Sequence, residues 1–236
     1  MFGPEGALSE GGRVWLRAIG LIMAVDVLIN NSDRMPLLWD NDGNTENLML
    51  INAVRDEHGG TTHCVPVAID TMVSCFDHTA SKISAASFAS LCARVTGLAD
   101  QLAAEPSVEA ARSCEPCQRF RRLLLHGRGT VEDEAYCPPV GHDIGDEGVA
   151  EVMAGLREGF SELRRVVTKA WLVDCHNRLR SLTQGDPFAL QSDAAQRGDC
   201  GFGSISVEFM CRLAECFDGS AAAGSTAEGS AATQPG

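Results

Sequence analysis

This sequence of 236 residues contains few lysines and no long hydrophobic run, and its formal net charge is -13. Only two of its 19 basic residues are lysines, Lys82 and Lys169, and acidic residues outnumber basic ones 32 to 19. This balance argues against sequence-independent binding to a nucleic-acid backbone, which needs clustered Lys and Arg. The longest apolar stretch, at Ile19–Ile29, is interrupted by Asp26 and is shorter than the roughly 20 residues that span a bilayer. No membrane span is predicted.

A secretory signal is also missing from the printed N-terminus, which lacks a basic start and a continuous apolar core, so we expect a cytoplasmic protein. Ten cysteines at irregular spacing fit reduced, mostly buried thiols better than an oxidised secreted framework. A hydrophobic fraction of 44% is enough to form a core. The composition therefore indicates one globular domain with some appended chain.

The spacing of apolar residues predicts a mostly helical chain that contains one β-hairpin. A buried helix from Gly12 is expected to lead into a short extended piece near Ile29, and a polar loop follows. The apolar runs Leu48–Ile51 and Val65–Ile69 are predicted to be the two arms of the hairpin. Further helices are predicted at Ala85–Leu102, at Gly148–Leu182 as one helix or two, and at Cys200–Phe217.

The two ends of the chain differ in composition from its middle. The last residues are mostly Gly, Ala, Ser and Thr without a large apolar side chain, which predicts disorder. We therefore expect a folded domain at residues 13–217, a flexible N-terminus at residues 1–12 and a disordered tail at residues 218–236.

Three polar residues have an order along the chain that favours phosphoryl transfer. Asp33 lies in the polar loop, Asn47 at the exit of that loop, and Asp70 directly after the second arm of the hairpin. In kinases a loop Asp accepts or orients the proton of the attacking hydroxyl, and a later Asn and Asp hold magnesium at the nucleotide phosphates. Asn47 and Asp70 supply the hard oxygen ligands that Mg²⁺ prefers, and Asp33 is left for the nucleophile. The neighbouring Arg34 could hold the loop or neutralise phosphate charge.

The residues around this set resemble the catalytic domain of the actin-fragmin kinase family, an atypical branch of the protein kinase and phosphoinositide kinase superfold. The pieces that carry the resemblance are Asn30-Asn31-x-Asp33-Arg34, Trp39-x-Asn41-x-Gly43-Asn44-x-x-Asn47 and Ala68-Ile69-Asp70. The resemblance implies an α+β fold like the kinase C-terminal lobe, mostly helical, with a hairpin that carries the catalytic and metal-binding loops. It also implies Asp33 as the catalytic Asp, Asn47 and Asp70 as metal ligands, ATP with Mg²⁺ as cofactors, and a Ser or Thr hydroxyl as acceptor, on actin in the founding case.

Other interpretations of the sequence stay open beside this one. A kinase N-terminal lobe needs several strands, a glycine-rich loop and a Lys, yet only 32 residues precede Asp33 and none is Lys. We therefore expect a fragment with weak or no kinase activity in isolation, and a noncatalytic binding or scaffold module is the alternative. A related kinase could instead use a lipid or small-molecule acceptor.

Two cysteines and one basic cluster give further alternatives outside the kinase pattern. Cys114 and Cys117, with His126 and Cys137, could belong to a zinc-stabilised interaction domain, although a second pair of closely spaced ligands is missing from the sequence. Residues 119–122, Arg-Phe-Arg-Arg, predict either a solvated helix face or a docking site for an acidic partner such as actin.

Overall fold

Seven helices and one hairpin make up the ordered architecture of this computed structural model, which describes residues 8–41, 43–55, 61–69, 74, 79–126, 143–182 and 204–219. In chain order the elements are α1 (Glu10–Leu28), a 3-10 turn (Thr45–Asn47), β1 (Leu48–Arg55), β2 (Thr61–Ala68), α2 (Lys82–Ala103), α3 (Val108–Ser113), α4 (Glu115–His126), α5 (Gly145–Val166), α6 (Lys169–Leu182), α7 (Ser204–Glu215) and a final 3-10 turn (Cys216–Asp218). The mostly helical chain with one hairpin is confirmed. Among the helices of these ranges, none is long and apolar enough to cross a membrane.

Helix α1 is longer than the sequence predicts, and the expected extended piece near its end is wrong. The helix begins after Ser9, whose side chain accepts a hydrogen bond from the Gly12 backbone N–H at 3.1 Å, and it continues to Leu28. It ends where Asn30 adopts a left-handed conformation with φ of 52°, which Asn tolerates better than most residues. Burial of Val27 and Leu28 explains the difference. Packing against the core outweighs the low helix propensity of the β-branched Val27, so the helix continues to Leu28.

Helices α1 and α5 cross at a very short distance and form the centre of the core. A Cβ atom added to Gly20 would lie 2.3 Å from the Val152 carbonyl oxygen, and one added to Gly155 would lie 2.0 Å from the Arg17 carbonyl oxygen. Only glycine permits backbones to approach so closely. The apolar side chains of α2, α3, α4 and α7 surround this pair of helices in one continuous core.

The predicted hairpin is present and extends beyond the predicted arms. Strands β1 and β2 pair antiparallel, with Leu48 opposite Ala68 and Ile51 opposite Val65, and the register shifts after Asn52. Strand β2 packs against α1. The hairpin therefore begins and ends beside the C-terminal half of α1, where the polar loop also starts.

The C-terminal half of the described chain consists of helices that pack against the core. The predicted helical region Gly148–Leu182 is two helices, α5 and α6, which separate at Val167 and Thr168. Phe217 stacks on Phe160 of α5 with ring centroids 4.2 Å apart. Asp70 lies outside the described residues, as do residues 1–7 of the predicted flexible N-terminus and residues 220–236 of the tail predicted at residues 218–236.

Candidate active site

The polar loop between α1 and β1 is fixed at its start by the left-handed residue Asn30. The Asn30 side-chain amide donates a hydrogen bond to the Ser74 carbonyl at 3.0 Å, and its Oδ1 accepts one from the Trp39 indole N–H at 3.1 Å. The Ser74 backbone N–H in turn donates to the Ile29 carbonyl at 3.1 Å. This one side chain thus connects the end of α1 with the middle of the loop and with the chain after the hairpin.

A tight turn at Gly43 brings the end of the loop back to its beginning. Gly43 has φ of 69°, and a Cβ atom there would lie 2.7 Å from the Pro36 ring, so both the conformation and the space favour glycine. The Asn44 N–H then donates to the Arg34 carbonyl at 3.0 Å. The following 3-10 turn ends at Asn47, which places this side chain beside the first part of the loop.

Asp33 and Asn47, 14 positions apart in the chain, meet in the structure. The Asn47 side-chain amide donates to Asp33 Oδ2 at 2.7 Å, and Asn44 Nδ2 lies 3.4 Å from Asn47 Oδ1. The Asp33 backbone N–H donates to Asn31 Oδ1 at 3.2 Å, and this hydrogen bond fixes the backbone of Asp33. Asp33 is half-buried and Asn47 is buried. The structure therefore brings together two of the three residues that the sequence predicts to act together.

Arg34 lies in the interior and holds the loop, which is one of the two roles that the sequence allows it. Its side chain is 1% exposed and forms an ion pair with Asp26 of α1, also 1% exposed. Its Nε donates to the Asn47 carbonyl at 3.2 Å, and its Nη2 donates to the Ile69 carbonyl at 3.1 Å. The Ile69 N–H donates to the same Asn47 carbonyl at 2.9 Å. Both ends of the hairpin are thus joined to each other and to the loop.

Asp70 follows Ile69 in the sequence but lies outside the described residues, so its contacts are not part of this site description. Within the described ranges, no group of three or more His, Cys, Asp and Glu side chains is arranged to hold a metal ion. The Asn47 amide nitrogen faces the Asp33 carboxylate, and Asn47 Oδ1 lies near Asn44 Nδ2. The loop thus contains a carboxylate and an amide oxygen, and oxygen donors of this kind fit Mg²⁺ rather than a softer metal.

Sequence reasoning gave no role to Asp26, although a signal for one exists. A carboxylate in the middle of an otherwise apolar helix predicts a buried partner, because an unpaired charge is very unfavourable in a protein interior. Burial raises the pKa of Asp26 to about 6, and the nearby Arg34 charge and a hydrogen bond from Asn31 partly offset this rise. The partner could not be chosen from the sequence, since several cations are close enough in the chain.

Two arginines from other helices hold the outer part of the loop. Arg94 of α2 donates to the Leu38 carbonyl at 2.8 Å, and Arg119 of α4 donates to the Trp39 carbonyl at 3.2 Å. Arg119 also pairs with Asp40 at 3.2 Å. The loop is therefore supported by α1, α2 and α4 together.

The basic cluster at residues 119–122 is largely neutralised within the chain. Arg121 pairs with Asp143 at 2.6 Å and with Asp146 at 2.7 Å, while Arg122 pairs with Glu115. These contacts fit a salt-bridged helix face better than an open docking site for an acidic partner.

Cys114 and Cys117 lie inside the core. They are 1% and 0% exposed and carry free thiols. Cys137, a further candidate ligand, is outside the described residues. The described part of the chain therefore assembles no zinc site around these two thiols.

Comparison with protein families agrees with the geometry of the loop and the hairpin. Residues 2–90 match the family of the actin-fragmin kinase catalytic domain. The resemblance stated from the sequence is thereby confirmed over this part of the chain. The matched segment includes α1, the polar loop, both strands and the beginning of α2, and therefore all four predicted residues Asp33, Arg34, Asn47 and Asp70. A comparison with curated proteins finds no match.

The name of the matched family indicates a general class of chemistry. The family is named for a kinase, an enzyme that transfers a phosphoryl group, and kinases use ATP with a divalent metal ion. The helices after α2 lie beyond the matched residues, and they contribute Arg119 to the support of the loop.

Proposed function

We propose that this chain is the C-terminal lobe part of an actin-fragmin-type protein kinase, which transfers the γ-phosphoryl group of ATP to a Ser or Thr hydroxyl. The observation that carries the proposal is the pairing of Asp33 with Asn47 at 2.7 Å inside the segment that matches the family. A carboxylate for the nucleophile beside a neutral oxygen ligand for magnesium is the arrangement that kinase chemistry needs.

In this proposal each residue has a separate role. Asp33 accepts the proton of the acceptor hydroxyl while the hydroxyl oxygen forms a bond to the γ-phosphorus and the bond from that phosphorus to ADP breaks. Asn47 and Asp70 hold Mg²⁺, which when bound neutralises charge on the phosphates. Arg34 is a positioning residue, because its guanidinium is buried against Asp26, Asn47 and Ile69.

The acceptor is proposed to be a protein, with actin or an actin complex as the first candidate, on the basis of the family name alone. Adenine and part of the phosphates normally contact an N-terminal lobe, so we expect the elements of the C-terminal lobe alone to bind ATP weakly and to transfer phosphate slowly.

Calorimetry of ATP binding with and without Mg²⁺ tests the metal-binding half of the proposal. We expect Mg²⁺-dependent binding in the unaltered chain, and a loss of affinity of about tenfold or more in Asn47→Ala and Asp70→Ala. Asp40→Ala is the matched control, because Asp40 lies in the same loop but its side chain is 89% exposed and points to Arg119. Absence of binding in a well-folded unaltered chain would contradict the proposal and favour a noncatalytic module.

Transfer of labelled γ-phosphate tests the role of Asp33. The variant Asp33→Asn keeps an oxygen that can accept the hydrogen bond from Asn47, so ATP binding should persist. Transfer to actin should fall by about 10²- to 10⁴-fold, the usual effect of removing a general base. Equal transfer by Asp33→Asn and the unaltered chain would exclude Asp33 as the base, and transfer to a lipid but not to protein would exclude the protein acceptor.

A further inference from the structure

The buried ion pair between Asp26 and Arg34 is the most unusual polar feature of the described interior. Each side chain is 1% exposed, and Asn31 beside them is fully buried. Moving two charges out of water is unfavourable, and replacing a buried ion pair with well-packed apolar residues is often neutral or stabilising. A contribution to stability is therefore a weak explanation for this ion pair. Its hydrogen bonds to other parts of the chain suggest a role in positioning.

Arg34 uses the fixed geometry of its guanidinium to join three parts of the chain. Nη1 contacts Asp26 Oδ1 on α1, Nε donates to the Asn47 carbonyl at the start of β1, and Nη2 donates to the Ile69 carbonyl just after β2. A planar group with several N–H donors can make these contacts at once, whereas a lysine ammonium on a flexible stem cannot reproduce them.

Asp26 has a second branch of contacts that reaches the proposed base. Its Oδ1 accepts a hydrogen bond from Asn31 Nδ2 at 3.0 Å, and Asn31 Oδ1 accepts one from the Asp33 backbone N–H at 3.2 Å. The Asp26 carbonyl also accepts from the Asn31 backbone N–H at 2.8 Å. One carboxylate is thus connected through Asn31 to Asp33, and through Arg34 to Asn47 and Ile69.

We propose that Asp26 is the positioning residue of this site, and that it sets the distance between Asp33 and the two ends of the hairpin through Asn31 and Arg34. The inference rests on the proposed function in one respect: only if Asp33 is the base and Asn47 and Asp70 are metal ligands does this distance separate the base from the metal. The placement itself is a property of the loop and the hairpin, and it can be measured without nucleotide.

The double variant Asp26→Leu with Arg34→Met separates positioning from folding. It removes both charges together and leaves apolar side chains of similar size, but it also removes the partners of the Ile69 carbonyl and the Asn31 amide. The variant should therefore stay folded, with an unchanged or modestly lowered urea midpoint. Hydrogen exchange at the Ile69 amide, which donates to the Asn47 carbonyl at 2.9 Å, should accelerate by about tenfold or more, while amides in α5 stay unchanged. Affinity for Mg²⁺ with ATP should fall by about 10- to 100-fold.

The single variant Arg34→Lys tests the same inference without an unpaired buried carboxylate. The charge beside Asp26 persists, but the bonds to the Asn47 and Ile69 carbonyls cannot both form, so Ile69 should again exchange faster. Arg13→Met is the matched control, since Arg13 lies near the opposite end of α1 from Asp26 and forms ion pairs with Glu147 and Glu151.

Two results would overturn the inference. Unchanged Ile69 exchange in a folded double variant would show that the pair does not position the hairpin, and failure of that variant to fold would show that the pair is a requirement of the fold itself. If the unaltered chain binds no ATP, the proposed function fails, but the Ile69 measurement still decides whether the ion pair of Asp26 and Arg34 positions the base of the hairpin.

Discussion

Cys216, at the start of the final 3-10 turn, is the described thiol with the most marked tendency to ionise. A hydrogen bond from the Cys92 thiol of α2 is the main cause, and a hydrogen bond involving Thr96 adds to it. Partial burial acts in the opposite direction, but the pKa of Cys216 is still lowered to about 7. Since the thiolate is the nucleophile, reactivity should follow this ionisation.

Labelling with iodoacetamide tests whether the Cys216 thiol is more reactive than other described thiols. Cys216 should react faster than Cys211 near neutral pH, because hydrogen bonding lowers the pKa of the Cys216 thiol whereas burial raises the pKa of the Cys211 thiol. In Cys92→Ala the labelling midpoint of Cys216 should move towards the ordinary thiol range of about 8.5. Mass spectrometry of labelled peptides between pH 6 and pH 9 measures both effects.

Cys92→Ser is the matched control for this experiment, because serine keeps a donor at the position of the Cys92 thiol. Its Cys216 midpoint should stay nearer to that of the unaltered chain than the midpoint of Cys92→Ala does. Identical pH profiles for Cys211 and Cys216 would contradict the prediction.

Single residues of the site were partly predictable from the sequence. Asp33 and Asn47 could be paired because kinase chemistry demands an Asp and an Asn in this order, whatever the loop length between them. The part played by Ile69 could not be predicted, because it uses backbone atoms and any side chain could occupy that position.

The crossing of α1 and α5 depends on glycine in a way that can be tested at the scale of the element. In Gly155→Ala the new methyl group would meet the Arg17 carbonyl oxygen, a backbone atom that cannot move aside as a flexible side chain could. We expect a loss of unfolding free energy of about 1–3 kcal/mol, typical of overpacking, or more if the helices separate. Urea denaturation measures the change.

Gly97 of α2 is the matched control for Gly155. It also lies inside a helix, but no atom lies within 4 Å of an added Cβ. Gly97→Ala should therefore stabilise the chain by about 0.5–1 kcal/mol, because alanine has the better helix propensity. A stabilising Gly155→Ala would mean that the two helices are not in such close contact.

The existence of the elements was more predictable than their ends. Periodic apolar residues predicted the hairpin and the helices, but the break between α5 and α6 could not be fixed from periodicity alone. The Val166–Thr168 region contains no Gly or Pro. Instead, the Thr168 hydroxyl accepts a hydrogen bond from the Trp171 N–H at 3.2 Å and caps the start of α6. This side-chain hydrogen bond is an alternative to the backbone hydrogen bonds that would continue α5.

The whole molecule should become less stable as pH rises through the range in which Asp26 titrates in the folded state. Its pKa is raised from 3.8 to about 6 on folding, so between these values the folded chain keeps a proton that the unfolded chain has released. Stability must fall with pH wherever the folded state binds more protons. The contribution of this group is at most about 3 kcal/mol between pH 4 and pH 6.

Urea unfolding at several pH values, compared with Asp26→Asn, measures this contribution. The variant cannot titrate at position 26, so its stability should lack this fall between pH 4 and pH 6, whatever its absolute value. Asp143 and Asp146 have lowered pKa values because of Arg121 and Arg112, and their effects are common to both chains. Parallel profiles for the two chains across that range would refute the prediction.

At the scale of the whole chain, the sequence was sufficient for the class of fold and for the part of it that matches a family. Composition indicated a core, and the motif between Asp26 and Asp70 indicated the kinase resemblance. The packing of α3, α4 and α7 around α1 and α5 was not predictable, since it depends on shape complementarity between faces that are distant in the chain.

The hydrogen bonds at the base of the hairpin fix the positions of Asn47 and Ile69 independently of the length of the hairpin. Asn47 and Ile69 are held to each other and to Arg34, so residues added or removed between the far ends of β1 and β2 leave these three positions in place. Loop length itself has only a small entropic effect. We therefore expect the Asn47, Ile69 and Arg34 contacts to persist when an epitope or a fluorescent reporter is inserted between Arg55 and Thr61.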